Sequence, residues 1–355
     1  MSFNKKLFTA AVKQVKNIGK DFPIHLHNEN KHAYMFTTDG ISTAKSYFET
    51  DMDDVIDICL NTKEFVQICK IRGDLDFNID GNKIEFFDSK TKMPFALQDW
   101  SGMVDAEKSS VIPENTRSYI IKADELNKVI RGVAYASNPK DTQNPFLTGV
   151  NYTLDANGIV KFTATDRTRI ACWESNDPNL IKEESTESAI FPQVVVENLA
   201  FFEPDDNVKI FIDNNKVILA SENFELHCPK INANFPDIAK FFNQETVAEY
   251  KVNVGEAKTS LDIICDDETS TIKLTFGDNS LELSTYSKEM TNSDKIDCQK
   301  VSGGEVETSI LSPKMLKDVL TKIQVDEITF KLLGNSKLFA YYAGSYYGMI
   351  APKTR

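Results

Sequence analysis

Little in this sequence points toward a lipid environment, a metal or an export route. No apolar run approaches the roughly 20 residues that cover a bilayer. Val194-Val195-Val196 is typical of the longest, so no membrane-spanning helix and no membrane partner are expected. The opening MSFNKKLFTAAVKQVKNIGK carries lysines throughout, without a long apolar core ahead of a small-residue cleavage site. It is not an export signal by this reading, and a cytoplasmic location is expected. Histidine is scarce: three of the four, His25, His27 and His32, are clustered, but no cysteine pattern or His-Glu-x-x-His motif joins them, so no zinc site is expected. The six cysteines, Cys59, Cys69, Cys172, Cys228, Cys265 and Cys298, are scattered without a Cys-x-x-Cys and mostly sit in apolar stretches. They read as buried free thiols. Positive charge is in deficit, with 40 Lys and Arg against 53 Asp and Glu and a net charge of −13. That balance argues against a protein that coats nucleic acid with its whole surface, although it leaves room for a local basic face.

Catalytic patterns are equally thin. Asp51, Asp53, Asp54 and Asp57 form a carboxylate run with no histidine motif or glycine-rich phosphate cradle beside it, which is the composition of a solvated loop or helix start. Ser42-Thr43-Ala44-Lys45 matches a Ser-x-x-Lys pattern that has only two fixed positions and arises easily by chance. Neither supports an enzyme, and no cofactor is expected.

What the chain does have is length and repetition. Its 355 residues suffice for two or three domains, each with its own core. Three segments share a β-rich run, an Asp, Asn or Gly turn and a second β-rich run: LDFNIDGNKIEFFDSK from Leu75, VKIFIDNNKVILASEN from Val208 and ITFKLLGNSKLFAYYA from Ile328. Asp80-Gly81-Asn82, Asn214-Asn215 and Gly334-Asn335 supply residues that tolerate positive φ, as hairpin turns require. Upstream of each lies a helix candidate: NTKEFVQICKI from Asn61, FPQVVVENLAFF from Phe191, and SPKMLKDVLTKI from Ser312 with a Ser cap and Pro in the first turn. A second series fills the gaps. KKLFTAAVKQVKNI, KADELNKVIRGVAYA and GEAKTSLDIICDD each precede a hairpin-like segment, with turns at Thr38-Asp39-Gly40, within ATDRTR, and at Gly277-Asp278-Asn279. Six helix-plus-sheet half units pair into three similar α+β domains, 1–115, 116–245 and 246–355, with boundaries near Glu114 and Glu245 in polar segments.

Such short helices must lay an apolar face on a sheet. Phe8, Ala11, Val12, Val15 and Ile18 form that face in the first, with Lys6, Lys13, Lys16 and Lys20 opposite. Lys128 and Arg131 stand away from Leu126, Val129, Ile130 and Val133, and Lys314 and Lys317 from Met315, Val319, Leu320 and Ile323. Any one of these faces reads as ordinary solvated lysine. Their recurrence suggests a shared concave surface for duplex phosphates, contacted without base reading and weakened by salt.

One stretch resists assignment by pattern alone. In FTATDRTRIACWE, Phe162 to Glu174, two strand candidates flank the polar Thr165-Asp166-Arg167-Thr168-Arg169. Such a turn suits a phosphate, a carboxylate or solvent equally. The surrounding residues carry a resemblance. Leu147-Thr148-Gly149-Val150, then Ala164-Thr165-Asp166-Arg167-Thr168-Arg169-Ile170-Ala171, then NANFPDIAKFF from Asn232 to Phe242 are similar in order and spacing to the bacterial sliding clamp, the beta subunit of DNA polymerase III. That family has Leu/Asn-Gly-Val, Ala-Thr-Asp-Gly-His-Arg-Leu-Ala and Gly-x-Phe-Pro-Asp-Tyr. The likeness runs from about Ile120 to Arg355 and is strongest in the middle; the first 115 residues match in layout more than in motif.

The resemblance implies a DNA-clamp fold, three domains of two helices on antiparallel sheets, and a head-to-tail homodimer closing a ring around duplex DNA. The eight basic residues above would then face the DNA. It implies a processivity factor without chemistry of its own, tethering a polymerase and accepting a clamp loader through short peptide motifs. It also implies a peptide groove between the second and third domains. Thr165 and Ile170 would give it apolar contact and Arg169 would orient a peptide carbonyl or carboxylate. Arg167 and Thr168 would flank it, with Pro236, Asp237 and Asn243 nearby and Met349, Ile350, Ala351 and Pro352 as the terminal segment. By this reading the stretch is a hairpin edge facing the groove. Several residues depart from the family pattern. Arg167-Thr168 replaces Gly-His, Asn243 stands near a usual proline, and the chain ends Ala351-Pro352-Lys353-Thr354-Arg355 in place of Met-Pro-Met-Arg-Leu. They imply a preference for a more acidic or shorter peptide, or weaker binding to standard partners. The competing reading is a clamp-like scaffold with altered or lost polymerase binding, or a monomer that never closes. Leu281, Leu283 and the strand around Ile272 suit an edge for ring closure and a sandwich core equally well.

Overall fold

The computed structural model describes residues 2–112, 118–175, 186–266, 269–285, 291–304, 307–334 and 336–353. The expected boundary near Glu114, the turn residue Asn335 and the terminal Thr354 and Arg355 lie outside the described residues. Those described group into two compact units, one of Met1–Asn127 with Val194–Lys230, the other of Lys128–Gln193 with Ile231–Arg355. The middle third of the chain therefore contributes strands to both.

In the first unit, a four-stranded sheet runs Ser2–Phe3, Leu75–Asp80, Lys83–Phe87, Lys92–Ala96, and an eight-stranded sheet runs Ile56–Asn61, Pro23–Glu29, His32–Thr38, Thr43–Glu49, Phe224–Pro229, Lys216–Ala220, Asn207–Ile212, Ser118–Lys122. Neighbours are antiparallel throughout. The hairpins expected from turn chemistry form: Asp80 pairs with Lys83 across Gly81, whose φ of +58° is open to glycine at little cost. Helix Lys5–Val15 starts at Asn4, whose side chain accepts from the amides of Lys6 at 3.0 Å and Leu7 at 3.2 Å. Helix Thr62–Ile68 starts at Asn61, whose own amide donates to Glu64 Oε2 at 2.8 Å in a capping box. The apolar face read for the first helix is buried in full, Phe8, Ala11, Val12, Val15 and Ile18 alike. Phe8 sits at the centre of an aromatic cluster, with ring centroids 5.4 Å from Phe3, 5.9 Å from Phe65 and 6.0 Å from Phe86.

The second unit is organised by one twelve-stranded antiparallel sheet. Its order is Glu187–Phe191, Val150–Leu154, Val160–Thr165, Arg169–Glu174, Tyr346–Ile350, Leu338–Ala343, Glu327–Leu333, Thr246–Asn253, Ser293–Ser302, Ser280–Thr285, Ile272–Phe276, Glu307–Leu311. Helices Val254–Ile264 and Pro313–Lys322 lay Ala257, Leu261, Leu316, Val319 and Leu320 on a core with Tyr250 and Phe276, whose rings stack at 4.5 Å. Two details differ from expectation. Ser312 precedes the second of these helices without a side-chain capping bond, and Leu316, not the half-buried Met315, carries its buried face. Leu281, Leu283 and Ile272 are core, and the strand holding Ile272 is paired on both sides, so it offers no free edge.

Of the eight basic residues read on helix faces, Lys6, Lys13, Lys20, Lys128, Arg131, Lys314 and Lys317 are exposed and Lys16 is half-buried. Lys317 is not a spare charge, because it is bonded to Asp262. All six cysteines are free. No helix among the described residues is long and apolar enough to cross a membrane.

Phe8 is fully buried at the centre of that cluster, so removing its ring leaves a cavity among Phe3, Phe65 and Phe86. Phe8→Ala is expected to lower the stability of the first unit by about 3–5 kcal/mol, read as a drop in the urea midpoint.

Candidate functional site: an apolar groove beside a braced turn

The stretch that resisted assignment forms a hairpin, Val160–Thr165 paired with Arg169–Glu174 through Thr165↔Ile170 and Lys161↔Glu174. It is not a sheet edge. Arg169–Glu174 is bonded on its other side to Tyr346–Ile350, with Ile170 opposite Met349 and Ala171 opposite Gly348. Only the turn at its end is free, and it is heavily braced. Asp166 Oδ1 accepts from the Thr168 amide at 2.9 Å, the Thr168 hydroxyl at 2.6 Å and the Arg169 amide at 3.0 Å. Thr165 donates its hydroxyl to the Arg169 carbonyl at 2.7 Å. The Ala351 amide reaches the Thr168 carbonyl at 2.7 Å, which ties the C-terminal segment to the turn.

Arg169 belongs to that brace. Its Nε donates to Asp166 at 2.8 Å and its Nη1 to Asp318 at 2.6 Å, and its guanidinium lies 5.2 Å from the Tyr135 ring centroid. Burial opposes its charge, but the bonds to Asp318 and Asp166 outweigh that cost and hold its pKa above the usual value. Two of its nitrogens are thus held by carboxylates, which fixes the guanidinium at the side of the groove it lines. Beneath it the Tyr135 and Tyr341 hydroxyls meet at 2.6 Å, and Tyr341 donates to the Ile170 carbonyl at 3.3 Å. Burial raises the pKa of both tyrosines, so both stay neutral. Gly348 permits this approach, since a Cβ there would strike the Tyr341 hydroxyl and the Ile170 carbonyl.

Beside the turn opens a groove of about 300 Å³, lined by Thr165, Arg167, Thr168, Arg169, Ile170, Pro236, Asp237, Met349 and Ala351, together with Phe146, Ile238, Lys240, Phe241 and Leu338. The structure thus gathers nine of the twelve residues named from sequence. Ile350 faces the other way, fully buried in the core, because side chains alternate along a strand and Met349 takes the groove side. Asn243 and Pro352 are not among the lining residues. Thr165 and Ile170 are largely buried and form floor more than wall. Of the five residues missed, Ile238, Lys240 and Phe241 follow the Phe-Pro-Asp segment directly, on and beside a short helix Ala239–Phe242 whose first amide Asp237 receives at 2.9 Å. The Ile-Ala-Lys-Phe-Phe run was the available signal. Leu338 and Phe146 come from a distant strand and a 3-10 turn, and no local pattern marks them.

The comparisons with known proteins agree on what this architecture is. The family model described as the DNA polymerase III beta subunit, central domain, matches residues 120–237. The beta sliding clamp of Staphylococcus aureus is 25% identical over 292 residues, covering 80% of this chain and 70% of that protein. Among solved structures, the beta subunit of DNA polymerase of Streptococcus pyogenes superposes with a TM-score of 0.85 at 18% identity, covering 100% of this chain and 99% of that one. The Helicobacter pylori beta clamp bound to a DNA ligase peptide gives 0.86 at 17% identity, with the same coverage. Residues 120–237 match the central domain of the DNA polymerase III beta subunit, and the chain is similar at low identity to bacterial sliding clamps.

Its fold is the α+β clamp fold over the full length. Against the pattern of that family, this groove differs in charge and strain. Arg167, where the family pattern has glycine, is exposed with φ of +74°, a region that costs an L-residue about 1–2 kcal/mol. Lys353, which stands in place of a methionine, is not loose: its amine reaches the Ser270 carbonyl at 2.5 Å and its amide the Ile310 carbonyl at 2.8 Å.

Ser42 is buried, and Lys45 is paired with Glu107 at 3.3 Å and lies 3.8 Å from the Tyr34 ring centroid. Asp51, Asp53, Asp54 and Asp57 are all exposed.

Relieving the positive φ is expected to help. Arg167→Gly should raise stability by up to about 1 kcal/mol, the relief being partly offset by glycine's greater freedom in the unfolded chain, read as a higher thermal midpoint.

Proposed function

We propose that this chain is a DNA sliding clamp: a non-catalytic, cytoplasmic processivity factor whose homodimer closes head to tail around duplex DNA. In this reading it has three clamp domains, 1–115, 116–245 and 246–355. It tethers a replicative polymerase, and accepts a loader, through short peptides seated in the groove between the second and third. The observation that carries the peptide role is the convergence of three sequence-distant segments on one apolar groove: the Thr165–Arg169 turn, the Pro236–Phe241 segment, and Met349 with Ala351. The ligase peptide held by the Helicobacter clamp supports the same use of a clamp surface. Such pockets suit a few apolar anchors with polar groups fixing their orientation.

A specific observation also favours an altered partner preference. With Arg169 neutralised by Asp166 and Asp318, the charges left at the rim are Arg167 and Lys240 against Asp237. A peptide with acidic residues flanking its apolar anchors complements that rim. Retention on DNA would be topological, so the basic faces around Lys6, Lys13, Lys16, Lys20, Lys128, Arg131, Lys314 and Lys317 would serve transient, sequence-independent contact.

Imaging of the purified protein by negative-stain electron microscopy is expected to give two-subunit rings with a central hole; compact monomers or crescents at micromolar concentration would favour the non-closing scaffold. Peptide titration tests the groove separately. Phe241 is exposed, so Phe241→Ala should leave folding intact while weakening a clamp-binding peptide about tenfold, the equivalent of about 1.4 kcal/mol. Arg167→Glu should lower affinity for an acidic variant of that peptide more than for a neutral one, and equal effects on both would remove the charge argument.

A further inference from the structure

The histidines that no sequence motif completed are completed by the fold. Strand Ile56–Asn61, at the edge of the eight-stranded sheet, pairs antiparallel with Pro23–Glu29 so that Asp57 lies directly opposite His27, with His25 two residues along on the same face. Donor atoms of His25, His27 and Asp57 all lie within 4.8 Å of one another. The His25 ring is 1% exposed, with Nε2 2.5 Å from Asp57 Oδ1 and Nδ1 3.0 Å from Glu107 Oε2. Trp100 stacks on His25 at 3.9 Å and 10°, and Tyr34 on His27 at 5.1 Å and 28°, so both rings are held in orientation.

Each nitrogen of this buried imidazole faces a carboxylate oxygen, so the ring sits among donor atoms and not in an apolar pocket. A metal ion accounts for all three groups. Glu107 on Nδ1 is the outer carboxylate that characteristically fixes a metal-binding histidine, leaving Nε2 to the ion. Asp57 and His27 are 46% and 24% exposed, which gives an ion an entry path and a solvent-facing position. Glu29, 3.8 Å from His27 Nε2, is the nearest further carboxylate.

We propose that His25, His27 and Asp57 form a binding site for a first-row divalent transition ion of the zinc class, with Glu107 as its positioning residue. Two imidazoles and one carboxylate suit that class, whereas magnesium and calcium favour all-oxygen sets. Tetrahedral bonds of about 2.0–2.2 Å require Asp57 and His27 to adjust modestly, which their exposure allows. The bound ion would clamp the edge strand Ile56–Asn61 to its neighbour.

Isothermal titration of Zn(II) into the full-length protein, freed of metal with EDTA, is the test, with Co(II) absorption reporting coordination geometry. One site per chain and a tetrahedral Co(II) spectrum are expected. His27→Ala and Asp57→Asn, both at exposed or half-exposed positions, should weaken Zn(II) by about 100-fold or more, and Glu107→Gln by about 10–100-fold. His32→Ala, on the adjacent strand outside the cluster, should leave affinity unchanged. Circular dichroism checks that each variant is folded. No binding by the wild-type protein, or binding that His27→Ala and Asp57→Asn leave untouched, would overturn the site.

Discussion

The antiparallel pairing of Arg169–Glu174 with Tyr346–Ile350 is the constraint on which the groove depends. It joins segments that lie far apart in the chain and locks their register, and a slip of one residue would turn every side chain to the wrong face. In the register observed, Ile170 and Met349 share the groove side, and Ile350 goes to the core. The same pairing brings Gly348 beneath the Ile170 carbonyl, where the absence of a side chain lets Tyr341 reach it. The Ala351 to Thr168 bond then carries the alignment past the strand end and into the turn.

Charge around this framework is divided by depth. Arg169 sits among Asp166, Asp318 and the Tyr135 ring, where ion pairing offsets the cost of burial and stiffens the turn. Arg167, two residues earlier, is turned outward by a backbone conformation that glycine would adopt more easily. A structural arginine and a rim arginine thus stand almost side by side, and their chemistry differs because one has carboxylate partners fixed by tertiary contacts. His25 follows the same rule: ordinary in sequence, it is enclosed by Asp57, Glu107 and Trp100 only once the sheet and the 100–109 segment are in place.

Much of the fold was legible in the residues themselves. Helical spacing of Phe8, Ala11, Val12 and Val15, Asn and Gly turns between β-rich runs, and the recurrence of both along the chain identified helices and hairpins correctly, because these are local consequences of periodicity and backbone preference. The order of the Ala-Thr-Asp and Phe-Pro-Asp segments pointed to the family. Local pattern, however, carries no information on which side of a strand faces which neighbour across a long loop. It therefore left Ile350 in the groove, did not show the carboxylates that brace Arg169, missed Leu338 and Phe146, and read the hairpin as an edge. Those were decided by strand pairing between distant segments and by the burial that follows from it, which is also why His25, His27 and Asp57 meet at one point that no motif in the chain announces.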